Sequence, residues 1–287
     1  MTRQAMGAPQ LIATCWTTAG DVRPDRPDNL GRFPLDQRIE AAARAGYAGT
    51  GFWLGDLIAW EESGRDYGSL RRLLDDAGQR IVELEFLADW FATGERRSRS
   101  DAARAELFRA ADALGARHIK VMPPFLPGDP AGDDLAGEFA ALCAQAAEHG
   151  LLIGLEMLPF SMLPNLGSAL EMVTAADARN GGLLVDIWHV MRSGGTMEEV
   201  AQLPPRFVIA AELCDAMTAM QGEITEDTMR HRKLCGEGEF DVPGFIRAMS
   251  RAGYDGPYGV EILSDDFRQL PLRQAAVRSF ESSAAQF

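Results

Sequence analysis

The chain predicts an α/β fold closed as a single (β/α)8 barrel, on three observations. Short apolar runs of strand length alternate strictly with longer Ala/Leu/Arg stretches of helical pattern. A recurring junction links them, in which a helical stretch ends near a glycine and an apolar strand follows within a few residues. Eight such alternations fit into 287 residues. Alternation of this kind implies parallel strands with right-handed crossovers, and eight units in this length suit a closed barrel better than an open doubly wound sheet.

The junction reads "AAARAGYAGTGFW" at 41–53, "LLDDAGQRIVELEF" at 73–86, "AADALGARHIKVM" at 110–122, "AQAAEHGLLIGLEM" at 144–157 and "AMSRAGYDGPYGVEI" at 248–262. Glycine just past a helix end takes the left-handed conformation that other residues resist, and the strand then starts. Three further strands lack the junction, giving predicted strands at 10–14, 49–53, 81–86, 117–122, 151–156, 182–186, 207–212 and 257–262. Helical patterns lie near 34–45, 67–77, 101–114, 134–149, 166–176, 196–202, 242–252 and 268–283, the one at 196–202 being the weakest. No linker, low-complexity run or composition break divides the chain, so residues 1–287 read as one domain.

Two connections are long: 16–33 after the first strand and 213–241 after the seventh. Both leave C-terminal strand ends, where a barrel carries its chemistry, and loops of that length are usually functional or disordered. They are expected to cover or grip a substrate, with plain insertion as the alternative.

Composition narrows the partners. Lys and Arg number 28 against 42 Asp and Glu, a net charge of -14. That field repels phosphate backbones and anionic lipid, which argues against nucleic-acid and membrane-surface roles and leaves neutral polyols, sugars or cations. The four cysteines (Cys15, Cys143, Cys214, Cys235) form no CxxC pair, so neither a disulfide framework nor a zinc knuckle is expected. No run approaches 18 apolar residues, and "MTRQAMGAPQLIATCW" lacks a signal-peptide core. The expectation is a cytoplasmic protein.

The chemistry is concentrated where the strands end. "VELEF", "LLIGLEM", "LLVDIWH", "VIAAEL" and "YGVEI" place Glu85, Glu156, Asp186, Glu212 and Glu261 at or near the C-terminal rim. Four of them come from consecutive strands, so closure brings Glu156, Asp186, Glu212 and Glu261 around one point. Carboxylates that close raise one another's pKa and cannot all stay ionised unaided. A divalent cation resolves the conflict, and oxygen-rich ligation suits Mn²⁺ or Mg²⁺, with Co²⁺ also compatible. Taken singly, an acidic residue ending a strand is commonly a helix N-cap or an arginine partner; four on adjacent strands are harder to explain that way.

Around this cluster, His189 lies one turn beyond Asp186, either as a satisfied histidine in the first turn of a helix or facing the same pocket as a substrate ligand or proton shuttle. Lys120 in "HIKVMPPF" holds a substrate oxygen or stabilises an enediolate, with a plain salt bridge as the alternative. Arg230, His231 and Arg232 in "TMRHRKL" can reach over the site from the long loop, or form a solvated face. Trp16, Trp53, Phe86, Trp90 and Trp188 lie near strand ends, suited to sugar C–H surfaces or to core packing.

These motifs resemble the xylose isomerase-like TIM barrel superfamily, through the fifth-strand Glu, the sixth-strand Asp-x-x-His, the polar residue before "LCDA" and the eighth-strand "VEI". The resemblance spans nearly the whole chain. It implies metal ligands Glu156, Asp186, Glu212 and Glu261, and a substrate-contacting His189. It also implies that Glu156 and Glu261 act as paired acid and base beside a carbonyl, with the metal stabilising an enediolate. The seventh-strand ligand of the family is usually His or Gln; Glu212 makes this site more anionic and favours Mn²⁺ or Mg²⁺ over Zn²⁺. The resemblance therefore implies a metal-dependent isomerase or epimerase of a ketose. The alternative is a lyase or dehydratase of the inosose-dehydratase, dehydroshikimate-dehydratase or C-glycoside-deglycosidase kind. The chain would work as a homo-oligomer (dimer or tetramer) or as the barrel subunit of a larger enzyme. Catalysis would fall to Glu156, Glu261, His189 and Lys120, and substrate binding to His189, Arg230, Arg232, Trp16 and Glu85.

Overall fold

The computed structural model describes residues 9–125 and 134–287; the N-terminal residues 1–8, part of the stretch judged above to lack a signal-peptide core, lie outside the described residues. Eight parallel strands close on themselves in chain order. They are β1 (Leu11–Ala13), β2 (Gly49–Trp53), β3 (Ile81–Leu87), β4 (His118–Val121), β5 (Leu152–Glu156), β6 (Gly181–Asp186), β7 (Val208–Leu213) and β8 (Tyr258–Val260). All eight strands expected from the sequence are present.

The helices packed around the barrel are α1 (Leu35–Ala45), α2 (Leu54–Glu62), α3 (Tyr67–Asp76), α4 (Gly94–Leu114), α5 (Leu135–Ala147), α6 (Leu166–Ala176), α7 (Ile187–Arg192), α8 (Met197–Ala201), α9 (Ile224–Arg230), α10 (Val242–Arg251) and α11 (Leu272–Ala284). Gly46 and Gly115 follow α1 and α4 with φ of 114° and 64°, as the glycine junction requires. The weak pattern at 196–202 does fold, because Thr196 and Glu199 form a reciprocal capping box at the start of α8.

Four differences have physical causes. The helix placed at 101–114 begins earlier, at Gly94. Its first two turns carry no apolar stripe and are laced instead by Arg99–Glu95 and Arg97–Asp101 pairs one turn apart. α2 starts directly at the end of β2 with no turn residue to announce it, and buries Leu54, Leu57 and Trp60. α7 starts directly from Asp186, which accepts the Trp188 N–H at 2.6 Å and so caps the helix. The 213–241 connection contains a further helix, α9, and is folded back on itself by a bridge between Asp215 and Lys233.

Register sets the site. Asp186 on β6 stands opposite Glu212 on β7, and Glu212 opposite Gly259 on β8. A Cβ at Gly259 would sit 2.9 Å from the Glu212 Cγ, so the glycine leaves the space that the glutamate side chain fills. On β2, a Cβ at Gly51 would meet oxygens of both Glu83 and Glu85 within 3 Å. Glu83 and Glu85, two residues apart on one strand, therefore both point into the barrel.

Candidate active site

At the C-terminal end of the barrel, one side-chain atom from each of Glu156, Asp186, Glu212 and Glu261 lies within 4.8 Å of the others. All four are buried, none more than 3% exposed. A carboxylate cluster there follows from the backbone: Glu156 and Asp186 end their strands, Glu212 is the last residue but one of β7, and Glu261 lies one residue past β8.

Two cations are threaded through the cluster. Lys120, from β4, brings its Nζ to 2.7 Å from Glu212 Oε1, 3.0 Å from Glu261 Oε1, 3.3 Å from Glu85 Oε2 and 3.9 Å from Glu156 Oε2. Arg232, from the 213–241 connection, places Nη1 2.6 Å from Asp186 Oδ2 and 3.1 Å from Glu261 Oε2. Its Nη2 lies 3.4 Å from His189 Nε2, whose ring also approaches Glu156 Oε1 at 3.2 Å. Thr228 on α9 accepts from Arg232 Nη2 at 2.9 Å and fixes the plane of the guanidinium.

Burial and crowding dominate the electrostatics. Burial pushes Glu212 well above the usual carboxylate range, with Lys120 opposing and Glu261, Glu156 and Asp186 adding to the rise. Glu261 and Glu85 are raised in the same way. Glu156 goes the other way: burial disfavours its charge, but Lys120 and His189 outweigh that and bring it down to about 2. Burial alone would depress Lys120, yet Glu156, Glu212, Glu261 and Glu85 carry it well above an ordinary lysine. Its amine is therefore an ammonium, a charge donor and not a nucleophile.

Glu212 decides whether a metal fits. The Lys120 amine lies close to Glu212 Oε1 but off the line a hydrogen bond needs, and neither Glu212 oxygen receives a hydrogen bond. Two buried, donor-less carboxylate oxygens beside three more carboxylates are the hard, oxygen-rich donor set a divalent cation takes. The four carboxylates could hold a metal ion. Asp186 is at once an N-cap, an arginine partner and a member of this set, so the ordinary and functional readings of that aspartate coexist.

Beside the cluster is a pocket that opens to solvent. Its polar lining is Glu85, Glu156, Glu261, Lys120, His189, Thr228 and Arg232. Its apolar lining includes Trp16, Phe86, Phe125, Phe160, Met229 and Leu263. Trp53 stacks between Trp16 and Phe86, with ring centroids 5.5 and 4.9 Å away. The structure thus brings Glu156, Glu261, His189, Lys120, Arg232, Trp16 and Glu85 to one pocket. Arg230 is not among its lining: that guanidinium lies on the outer side of α9, 3.8 Å from Glu226 and 3.9 Å from Asp265. Trp90 and Trp188 are core residues whose ring N–H groups go to the Met122 carbonyl and to Asp227.

Both long connections reach the pocket, 16–33 through Trp16 and Pro24 and 213–241 through Thr228, Met229 and Arg232. Sequence reasoning passed over what holds the second one. Asp215, 1% exposed, accepts backbone N–H bonds from Ala216, Gly236, Gly238 and Phe240 at 2.8–3.0 Å and so fastens the loop that delivers Arg232. The signal was present as the aspartate of "LCDA" followed by "GEGEF", two glycines that let the backbone turn its N–H groups inward.

With this geometry in place, comparison with known proteins is informative. A profile described as the xylose isomerase-like TIM barrel matches residues 39–284. The chain belongs to that family. Among its relatives, a 3-dehydroshikimate dehydratase of Pseudomonas aeruginosa is 31% identical over 253 residues, covering 86% of this chain and 39% of the dehydratase. The chain therefore spans well under half the length of that relative. An inosose isomerase of Bacillus subtilis is 23% identical over 132 residues, 45% of this chain and 46% of the isomerase. The solved structure of an IolI protein with a bound zinc atom superposes with a TM-score of 0.82 at 16% identity, covering 96% of this chain and 97% of the other. That likeness concerns the fold. No helix of the described residues is long and apolar enough to cross a membrane.

Proposed function

We propose that the chain is a metal-dependent lyase that removes a proton next to a carbonyl in a cyclic hydroxyketone of the dehydroshikimate or inosose kind and expels a β-hydroxyl as water. The observation that carries the chemistry is the clustering of Glu156, Asp186, Glu212 and Glu261 around Lys120 and Arg232 beside a pocket lined by acidic, basic and aromatic side chains. The likeness to a 3-dehydroshikimate dehydratase over 86% of the chain favours elimination as the outcome.

Glu156, Asp186, Glu212 and Glu261 would hold a divalent cation, Mn²⁺ being the best match to an all-carboxylate set, which when bound would supply Lewis-acid polarisation of a substrate oxygen. The residues of the chain do the remainder. Glu261, with its carboxyl above the usual range, takes the proton from carbon. Lys120 and Arg232 offer fixed positive charge to the oxygen on which charge develops. His189 lines the pocket and hands a proton to the departing hydroxyl, so the C–O bond breaks with water as the product. Trp16 and Phe86 cover the apolar face of the ring and keep solvent from it.

Isomerisation or epimerisation is the second reading. Glu156 and Glu261 both line the pocket, so two carboxyl groups can exchange a proton with carbon. Both readings share the first step and diverge at the fate of the carbanion. Incubation with Mn²⁺, Mg²⁺ or Co²⁺ and a panel of 3-dehydroshikimate, inosose and free ketohexoses in D2O separates them. A dehydrated, ultraviolet-absorbing product supports the lyase; deuterated substrate or an epimer without loss of water supports the isomerase. Absence of both with every metal and substrate would sink the two together.

A further inference from the structure

Only two of the chain's 28 basic residues are lysines, Lys120 and Lys233. A sequence that meets almost every need for positive charge with arginine keeps a lysine at its most carboxylate-crowded point. The two cations differ in shape: guanidinium is a planar fork, whereas ammonium is a compact point charge on a flexible four-carbon stem. The environment of Lys120 uses that compactness. Three of the four carboxylates within 3.9 Å of Nζ, namely Glu156, Glu212 and Glu261, belong to the candidate ligand set, so the ammonium stands inside the same cage.

A dication entering that cage meets a fixed positive charge at contact range, in a buried setting where water screens little. The lysine has somewhere to go. Lys120 also lines the pocket, and Glu85, outside the ligand set, offers Oε2 at 3.3 Å with no hydrogen-bond donor of its own. We propose that a divalent cation binds here by exchange against the Lys120 ammonium, which swings toward Glu85 and the pocket. Metal loading then has two effects: it fills the cage, and it presents the amine to the substrate oxygen. This rests on reading Glu156, Asp186, Glu212 and Glu261 as cation ligands.

The test measures metal affinity and lysine position separately. Calorimetric titration with MnCl2 is expected to show Lys120→Met binding roughly tenfold or more tightly than the unsubstituted chain, since a like charge at contact distance is gone. Lysine labelled with 13C at Cε gives two side-chain signals, and Lys233→Arg identifies the one belonging to Lys120, so the second measurement does not depend on whether Lys120→Met folds. Titration with diamagnetic Mg²⁺ or Zn²⁺ is expected to shift the Lys120 signal saturably, with the midpoint found by calorimetry for the same ion, and to leave the Lys233 signal in place. Equal or weaker binding by Lys120→Met, or metal binding that leaves the Lys120 signal unmoved, overturns the exchange while the ligand set stands. Absence of binding in both proteins overturns the exchange and the ligand set together.

Discussion

The two sides of the barrel mouth are built by the same backbone rule and do opposite work. From β5 to β8, each strand brings a carboxylate within one residue of its C-terminal end: Glu156, Asp186, Glu212 and Glu261. From β1 to β3, the strand ends and the turns after them supply Trp16, Trp53 and Phe86, packed ring against ring at tilts of 40° and 42° into an apolar wall. One side spends folding energy on crowding like charges and offsets it with Lys120 and Arg232. The other gains from aromatic contact, roughly 1 kcal/mol per pair beyond area burial. The lesson is that strand position fixes where a side chain acts, while its chemistry fixes whether the position costs or contributes stability.

The largest effects belong on the charged side. Glu156→Gln and Asp186→Asn each remove one anionic oxygen pair from the cage. We expect bound metal, measured by elemental analysis of the purified protein, to fall below a tenth of the unsubstituted level. Turnover is expected to fall by about a thousandfold, the range lost when an acid–base group and its charge go together. Unchanged metal content in both variants would refute the ligand assignment and reduce the carboxylate side to a salt-bridge network.

Next comes the guanidinium that reaches in from the long loop. Arg232→Met leaves Asp186 and Glu261 facing one another without their shared cation. Breaking a buried pair in this way costs about 3–5 kcal/mol, read from urea denaturation of the metal-free protein. Added Mn²⁺ should restore part of the loss, because a dication can take over the neutralisation. A loss that Mn²⁺ leaves untouched would mean that Arg232 serves packing alone.

The aromatic side should respond differently. Trp16→Ala and Phe86→Ala remove wall area without touching a charge, so metal content should stay as it was. KM is expected to rise by about tenfold, with kcat much less affected, since the lost contact is made equally in ground and transition states. If metal content falls as well, the wall and the cage are one cooperative unit and the contrast between the two sides breaks down.

The barrel was legible in the sequence because its signals repeat. Five glycine junctions and eight short apolar runs reinforce one another, and four carboxylates recur at equivalent strand ends. What was not legible had no periodic signature. α2 and α7 start from strand ends without a turn residue, and the charged start of α4 is held by side-chain pairs and not by an apolar stripe. Asp215 acts through backbone N–H groups 21 to 25 residues further on, a separation only the folded chain closes. Arg230 and Arg232 look interchangeable in "RHR", yet α9 and the chain after it send Arg230 outward and Arg232 into the pocket.

The smallest effect tests whether the cost of crowding extends below the pocket. Glu83 points inward one layer beneath Glu85. Burial pushes its carboxyl up to about 7, with Lys120 pulling against that and Glu261 adding to it. Its neighbour His118 lies 3.3 Å away, and burial brings that imidazole down to about 3, so at neutral pH it offers Glu83 no positive charge. A carboxyl whose folded pKa exceeds its unfolded value stabilises the fold fully below the unfolded value near 4.5. That contribution fades as pH rises through about 7. The unsubstituted protein should therefore lose stability between pH 5 and pH 8, and Glu83→Gln, which cannot ionise at that position, should lose less. The gap between them is expected to reach about 3 kcal/mol at pH 8, measured by denaturant unfolding across that range. Turnover should change little, since Glu83 does not line the pocket. Parallel stability curves for the two proteins would show that Glu83 is already ionised and compensated, confining the cost of crowded charge to the rim.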